Sequence, residues 1–85
     1  MKQIRGCHAA VSIGELIFVI GGYSNSSKGL KSMEMYDSRS NNWIEITSMN
    51  TERYLLAAAI CGNSIFAIGG YDGIGLKTVE KLSIF

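Results

Sequence analysis

The side chains that could do chemistry do not assemble into a catalytic set. The chain has a single histidine, His8, so no Ser-His-acid triad can be specified from the sequence. The carboxylates stand apart, in predicted turns or outer strands, and no buried acid–base pair is evident; they include Glu15, Asp37, Glu45, Glu52 and Asp72. The sequence therefore favours a protein that binds over an enzyme.

Arginine and glutamate offer binding chemistry instead, and they recur at similar spacings. Arg5 and Arg53 are 48 residues apart, and Glu34 and Glu80 are 46 residues apart. A guanidinium group presents two N–H donors that match the two oxygens of a carboxylate. A glutamate within an apolar stretch needs hydrogen-bond partners of its own. The recurrence of both residue types indicates a repeated structural unit.

An internal repeat covers most of the chain. Shifting the sequence by 48 residues gives ten identities over the 19 positions from 5 to 23, including the Gly-Gly-Tyr at 21–23 and 69–71. A second block matches at a shift of 46, where residues 29–31 are identical to residues 75–77. The two-residue difference must lie between Tyr23 and Gly29, which indicates an exposed loop.

Each repeat unit is predicted to contain short strands. The first strand is predicted at 7–13 and 55–61, the second at 16–20 and 64–68, the third at 32–36 and 78–82, and the fourth at 43–46. Gly14 and Gly62 predict tight turns between the first two strands. Four short strands at a period just under 50 residues are typical of a propeller blade. We therefore predict an all-β fold of about seven strands, in which the alanines at 9–10 and 57–59 suit crowded innermost strands.

Composition argues against several other classes of protein. The formal net charge is +1 and the basic residues are scattered, which disfavours nucleic-acid binding. The longest apolar run, at 16–20, is far shorter than the roughly 20 residues that span a bilayer, so no membrane association is expected. The first residues do not resemble a secretory signal, so a cytoplasmic location is expected.

At these positions the sequence resembles the kelch repeat. The matching features are Ile-Phe-x-Ile-Gly-Gly-Tyr at 17–23, Met-Glu-Met-Tyr-Asp at 33–37, the pair Asn42-Trp43, and Met49 four residues before Arg53. The resemblance is strongest to the kelch-like adaptor proteins, in which a BTB domain precedes the propeller. It implies a partial kelch β-propeller of about 1.75 four-stranded antiparallel blades. The first repeat, at 1–50, is complete, and the second, at 51–85, lacks the outer Trp strand.

The resemblance also implies a non-catalytic protein-binding module, for which no cofactor is expected. The favoured interpretation is the substrate-recruiting part of an adaptor for a cullin-based ubiquitin ligase. The alternatives are an actin-binding cytoskeletal protein and a truncated fragment with no independent function. Fewer than two blades leave apolar flanks open. We therefore expect other kelch blades or self-association, and favour a fragment of a longer protein.

Candidate partner-binding residues lie at the strand ends and in the loops. In some kelch relatives, arginines equivalent to Arg5 and Arg53 face the propeller mouth and pair with acidic groups of a bound peptide. The favoured alternative is that they bridge adjacent blades through backbone carbonyls or a carboxylate. The loops after the glycine pairs are predicted to contact a partner through Tyr23, Ser24, Asn25, Tyr71 and Asp72.

Other recurring residues are predicted to be structural. Glu34 and Glu80 are expected to accept backbone N–H bonds or to pair with an arginine. Trp43 is expected to fill the wedge between neighbouring blades. The glycine pairs are expected to end a strand and to let neighbouring backbones approach closely; they are Gly21, Gly22, Gly69 and Gly70.

The two cysteines are predicted to be inert. Cys7 aligns with Leu55 and Cys61 aligns with Ile13, so both are expected to be buried, reduced thiols. Cys7 and His8 are adjacent on a predicted strand and would point to opposite faces. A metal site built on this pair is therefore not expected.

Overall fold

The computed structural model describes residues 5–24 and 29–83, in which seven strands form two antiparallel sheets. Each strand pairs with the next along the chain. The prediction of an all-β fold built from partial blades is confirmed. Within the described residues, no helix is long and apolar enough to cross a membrane. The first sheet contains β1 (Ala9–Ile13), β2 (Leu16–Ile20), β3 (Ser32–Asp37) and β4 (Asn42–Ser48), and the second contains β5 (Ala57–Cys61), β6 (Ser64–Ile68) and β7 (Val79–Ser83).

The first strand of each repeat begins two residues later than the sequence predicts. Cys7 and Leu55, which occupy equivalent positions, have φ angles of 53° and 55°. These values lie in the left-handed region, which an extended strand cannot include. The chain turns at these residues, and β1 and β5 begin only at Ala9 and Ala57.

The predicted turns after the first strands are present in both sheets. Ile13 pairs with Leu16 across the first turn, and Cys61 pairs with Ser64 across the second. The glycines between them, Gly14 and Gly62, have positive φ angles of 56° and 59°. Glycine adopts this conformation without the steric penalty of a Cβ atom, which explains why both repeats carry it at this turn.

One apolar core joins the two sheets. The innermost strands β1 and β5 contact each other, and the small side chains of Ala9 and Ala58 pack partly buried against the core. Each fully buried large apolar side chain stabilises the fold by about 1.5–3 kcal/mol relative to exposure. The core therefore fixes the relative positions of the loops at the strand ends. Its buried members are Phe18, Ile20, Met33, Met49, Leu56, Ile65, Ala67 and Leu82.

The prediction of buried cysteines is wrong, because Cys7 and Cys61 are both exposed, as free thiols. Their apolar counterparts in the other repeat are exposed as well: Leu55 retains 58% and Ile13 39% of its accessible surface. Alignment with an apolar residue therefore did not indicate burial at either position.

Trp43 lies on β4, the last strand of the first sheet. Its side chain is half-buried and packs against Tyr36 of the neighbouring strand in its own sheet, with ring centroids 4.9 Å apart. These two residues are cross-strand partners in the pairing of β3 with β4. Trp43 thus stabilises the outer edge of its own blade. Its packing between the outer strands of neighbouring blades stays a prediction, because the second sheet has only three strands in the described residues.

Candidate functional site

The first glycine pair brings the two repeats into backbone contact at one end of the sheets. Gly21 and Gly22 have φ angles of 65° and 92°. A Cβ atom on Gly21 would lie 2.5 Å from the carbonyl oxygen of Arg53, and one on Gly22 would lie 2.5 Å from that of Gly6. The Gly22 N–H donates to the Arg53 carbonyl at 2.6 Å. The predicted close approach is present, and only glycine fits it.

The tyrosine after each glycine pair is pinned by its backbone. Tyr23 exchanges two hydrogen bonds with Gly6, both of 2.9 Å, and Tyr71 exchanges two with Tyr54, of 3.0 and 2.9 Å. Tyr23 also forms a β-bridge to Gly29, as Tyr71 does to Gly75. These bridges close the necks of the two loops. The segments enclosed by these bridges, at 24–28 and 72–74, differ in length by two residues, as predicted.

Three tyrosines lie in contact at this end, and we call Tyr23, Tyr54 and Tyr71 the tyrosine row. The ring of Tyr54 stands edge-on to Tyr23, with centroids 5.3 Å apart and planes at 86°. On its other side it stacks on Tyr71, at 6.0 Å and 28°. Tyr71 is 45% exposed, and the other two are half-buried. The row thus offers the exposed ring of Tyr71 beside two further tyrosines. Hydrogen bonds hold the backbone of all three residues in place.

Tyr54 is the member that the sequence did not reveal. Its counterpart in the first repeat is Gly6, so no recurrence marks it. The signal is geometric, because the residue after each arginine forms the backbone bridge to the Gly-Gly-Tyr tyrosine. A side chain at that position must lie beside the tyrosine ring.

The surroundings of the row differ between the two repeats. The thiol of Cys7 lies 3.6 Å from the phenolic oxygen of Tyr23, and this weak hydrogen bond, together with the charge of the thiolate, raises the pKa of Tyr23. Beside Tyr71, the Ile74 N–H donates to the Asp72 carboxylate at 3.3 Å, and Ile74 is 77% exposed. Ser24 is half-buried, and Asn25 lies outside the described residues.

Arg5 is buried inside its own sheet. Its guanidinium donates to the carbonyl oxygens of Gly21 and Ser32, both at 2.9 Å, and to the Ser32 hydroxyl. It also forms an ion pair with Glu34 at 3.1 Å, in which neither side chain is exposed. The guanidinium is thus committed to groups of the first repeat.

Arg53 makes the same contacts in the second sheet. It donates to the carbonyls of Gly69 and Thr78 and to the Thr78 hydroxyl, and it pairs with Glu80 at 3.1 Å. Glu80 additionally accepts the backbone N–H groups of Asn50 and Thr51. Glu80 therefore holds the linker between the sheets, and both roles predicted for the glutamates are seen at this residue.

These contacts correct the expectation that the arginine side chains bridge adjacent blades. Each side chain bonds within its own sheet, and backbone groups link the repeats. The Arg53 N–H donates to Leu30 at 3.0 Å, and the Leu55 N–H donates to Cys7 at 2.8 Å. In this structure neither guanidinium is available to a partner.

No candidate metal site is found among the described residues. Within them, no group of three or more histidine, cysteine, aspartate or glutamate side chains could hold a metal ion. An open groove of about 450 Å³ is lined by Thr47, Ser48, Asn50 and the five residues of β7. Its acidic residue, Glu80, is engaged with Arg53 and backbone N–H groups. The tyrosine row remains the best candidate site.

Comparison with known proteins assigns the chain to a family. The Kelch motif family matches residues 4–50 and 52–84, which contain the first and second sheets respectively. The chain belongs to the kelch family. The Arg–Glu pairs, the glycine pairs and the tyrosine row are therefore parts of two kelch repeats.

Several curated kelch proteins are similar to this chain. A Kelch repeat and BTB domain-containing protein of Caenorhabditis elegans is 43% identical over 68% of the chain. Kelch-like protein 13 of Mus musculus is 33% identical over 94%, and Kelch-like protein 41b of Danio rerio is 31% identical over 87%. The chain spans 10%, 13% and 12% of the lengths of these relatives, respectively. Kelch repeats and kelch-like relatives support a protein-interaction module.

Proposed function

We propose that this chain is a non-catalytic module that binds protein partners at the tyrosine row and its adjoining loops. We further propose that it serves as the substrate-recruiting part of an adaptor for a cullin-based ubiquitin ligase, in the cytoplasm. The observation that carries the binding proposal is the exposed ring of Tyr71 on a loop whose neck is closed by backbone bonds to Tyr54 and Gly75.

The anchoring of the loops favours recognition. Loops on a rigid sheet scaffold commonly carry binding residues, and preorganised contacts lose less entropy when a partner binds. Tyrosine suits this role because its ring provides a large contact area and its hydroxyl provides a hydrogen bond. Tyr23, Ser24, Tyr71 and Asp72 lie where such contacts would form, and their partner-binding role stays a prediction.

The adaptor role rests on family context. One similar protein is described as containing kelch repeats and a BTB domain, which favours an adaptor over the actin-binding alternative. Since the chain spans 10% of that protein, the recruiting role is proposed for a longer polypeptide of which these repeats form part.

Site-specific photocross-linking in cells tests this function. A photoreactive phenylalanine derivative replaces Tyr71, and a matched control replaces Ile44, which lies on β4 and is also 45% exposed. We expect one protein to be cross-linked from position 71 and not from position 44. Its ubiquitination should fall when Tyr71→Ala prevents capture.

Three other outcomes have distinct meanings. Equal capture from both positions overturns the proposed binding surface. Capture at position 71 with unchanged ubiquitination overturns the adaptor role and leaves the binding module. Co-sedimentation with actin filaments that depends on Tyr71 would support the cytoskeletal alternative.

A further inference from the structure

The charges at the base of the tyrosine row are already neutralised. Arg5 and Glu34 are both fully buried, and in the equivalent pair Arg53 is 1% and Glu80 12% exposed. A free guanidinium is the best side-chain partner for the carboxylates of an acidic peptide, and neither arginine offers one. The described loops and linker beside the row carry two charges of each sign, so they favour no charged ligand; these are Lys31, Lys77, Glu52 and Asp72.

The backbone beside the row is also occupied. The N–H and C=O groups of Tyr23 bond to Gly6, and those of Tyr71 bond to Tyr54. The carbonyl of Gly22 accepts the Leu30 N–H. A ligand that adds a strand to a sheet needs unpaired backbone groups in a row, and these tyrosines provide none. Recognition at the row must therefore use ring faces and hydroxyl groups.

Ring faces and hydroxyl donors suit a polyproline II segment. Such a helix is preformed, exposes its carbonyl oxygens, and docks on aromatic surfaces. The ring of Tyr71, which is 45% exposed and stacks on Tyr54 at a centroid distance of 6.0 Å, provides an aromatic surface of this kind. Exposed apolar side chains at Leu55 and Ile74 extend the apolar character of this end of the sheets.

We propose that the tyrosine row binds an uncharged, proline-rich segment in the polyproline II conformation. This inference rests on the proposed function and names the chemical class of the partner. A proline would pack on the exposed ring of Tyr71, and the tyrosine hydroxyls would donate to carbonyl oxygens of the segment. Because ion pairs take no part, the affinity should depend little on salt.

The test is an NMR titration of the chain with a synthetic decaproline peptide. A glutamate-rich decamer and a glycine-serine decamer serve as control ligands. We expect decaproline to shift the ring signals of the tyrosine row and to bind at least tenfold more tightly than either control. The dissociation constant should change less than about twofold between low and high salt.

Variants locate the binding. Tyr71→Ala should weaken decaproline binding about tenfold or more, whereas Ile44→Ala, at a side chain of equal exposure, should change it less than about twofold. Tyr71→Phe keeps the ring and should give an intermediate loss. Circular dichroism on each variant checks folding. If Tyr71→Ala unfolds, the ring shifts of the unmodified chain and the Tyr71→Phe variant still decide.

Specific results overturn the proposal. The proposal is wrong if the glutamate-rich decamer binds more tightly than decaproline, or if the affinity for decaproline falls steeply with salt. It is also wrong if decaproline shifts NMR signals elsewhere and leaves those of the tyrosine row unchanged. If decaproline fails while cross-linking at position 71 succeeds, the binding module stands and the ligand class is wrong. If both fail, the proposed function falls as well.

Discussion

The two kelch repeats share the same buried contacts and differ in the residues beside the tyrosine of the Gly-Gly-Tyr motif. In each, an arginine reaches a glutamate of the third strand, and a glycine pair leads to a pinned tyrosine. The residue bridged to that tyrosine differs: it is Gly6, followed by Cys7, in the first repeat, and Tyr54, followed by Leu55, in the second. Backbone geometry dictates the arginine, glutamate and glycine positions, whereas the position beside the tyrosine accepts a glycine or an aromatic residue. Specificity can therefore differ between repeats without a change of fold.

The ion pairs of the two repeats also differ in their access to water. Glu34 is fully buried with Arg5, whereas Glu80 keeps 12% of its side-chain surface exposed. Removing one partner of a buried pair leaves a charge without compensation. Removing a partner from a pair that water can reach should cost less free energy of unfolding. The two repeats thus provide a comparison of two Arg–Glu pairs that differ in burial and in the backbone N–H groups that Glu80 also accepts.

The largest expected effect is at the glutamates. Glu34→Ala should lower the free energy of unfolding by about 3–5 kcal/mol, because Arg5 is left buried and unpaired. Glu80→Ala should lower it by about 1–3 kcal/mol, since water can reach the vacated site. Urea denaturation followed by circular dichroism measures both, and equal losses would show that exposure does not distinguish the pairs.

The glycines give the next largest difference. Gly21→Ala and Gly69→Ala both force alanine into the left-handed region, at about 1–2 kcal/mol each. A Cβ on Gly21 would lie 2.5 Å from the Arg53 oxygen, whereas at Gly69 the nearest atom is 3.5 Å away. We therefore expect Gly21→Ala to destabilise by about 1–3 kcal/mol more. The same denaturation measurement tests this, and a larger loss at Gly69 would contradict the proposed repeat contact.

A smaller effect is expected at Tyr54. Tyr54→Ala removes an edge-to-face contact and a stacking contact and should lower stability by about 1–2 kcal/mol. Tyr54→Phe keeps both ring contacts and should leave the stability nearly unchanged. Thermal unfolding compares the two variants with the unmodified chain. An equal loss in both would show that the hydroxyl, and not the ring, stabilises the row.

The smallest effect is a change in titration with no expected loss of fold. The Cys7 sulfur raises the pKa of Tyr23, so Cys7→Ala should lower that pKa toward its ordinary value. A pH titration of the carbon-13 ring signals of Tyr23 measures the shift. Cys61→Ala, which removes the other exposed thiol, is the matched control. A Tyr23 pKa unchanged by Cys7→Ala would show that the thiol contact is not formed in solution.

The repeat made the fold predictable from sequence. Two aligned copies located the strands, the turns at Gly14 and Gly62, and the loop that differs in length. The starts of β1 and β5 were missed, because neither Cys7 nor Leu55 is a residue type that signals a left-handed φ angle. The prediction of buried cysteines was wrong for a related reason: Cys7 and Cys61 align with Leu55 and Ile13, and these apolar residues are themselves exposed.

The candidate site was only partly predictable. The Gly-Gly-Tyr motif marked Tyr23 and Tyr71, but Tyr54 becomes a neighbour of both only through backbone pairing between distant segments. The alternative considered for the arginines correctly named carbonyls and a carboxylate as partners. It assigned them to the wrong blade, because sequence spacing does not reveal which sheet a long side chain enters.

The closed loop necks affect how such a chain can change over generations. Although the two loops differ by two residues, the strand pairing beyond them is equivalent, with Val19 opposite Glu34 and Ala67 opposite Glu80. Mutation can therefore alter loop length and sequence in one repeat while the neighbouring repeat keeps its structure. Binding preferences can therefore change by successive loop mutations, because these mutations leave the strand pairing unchanged.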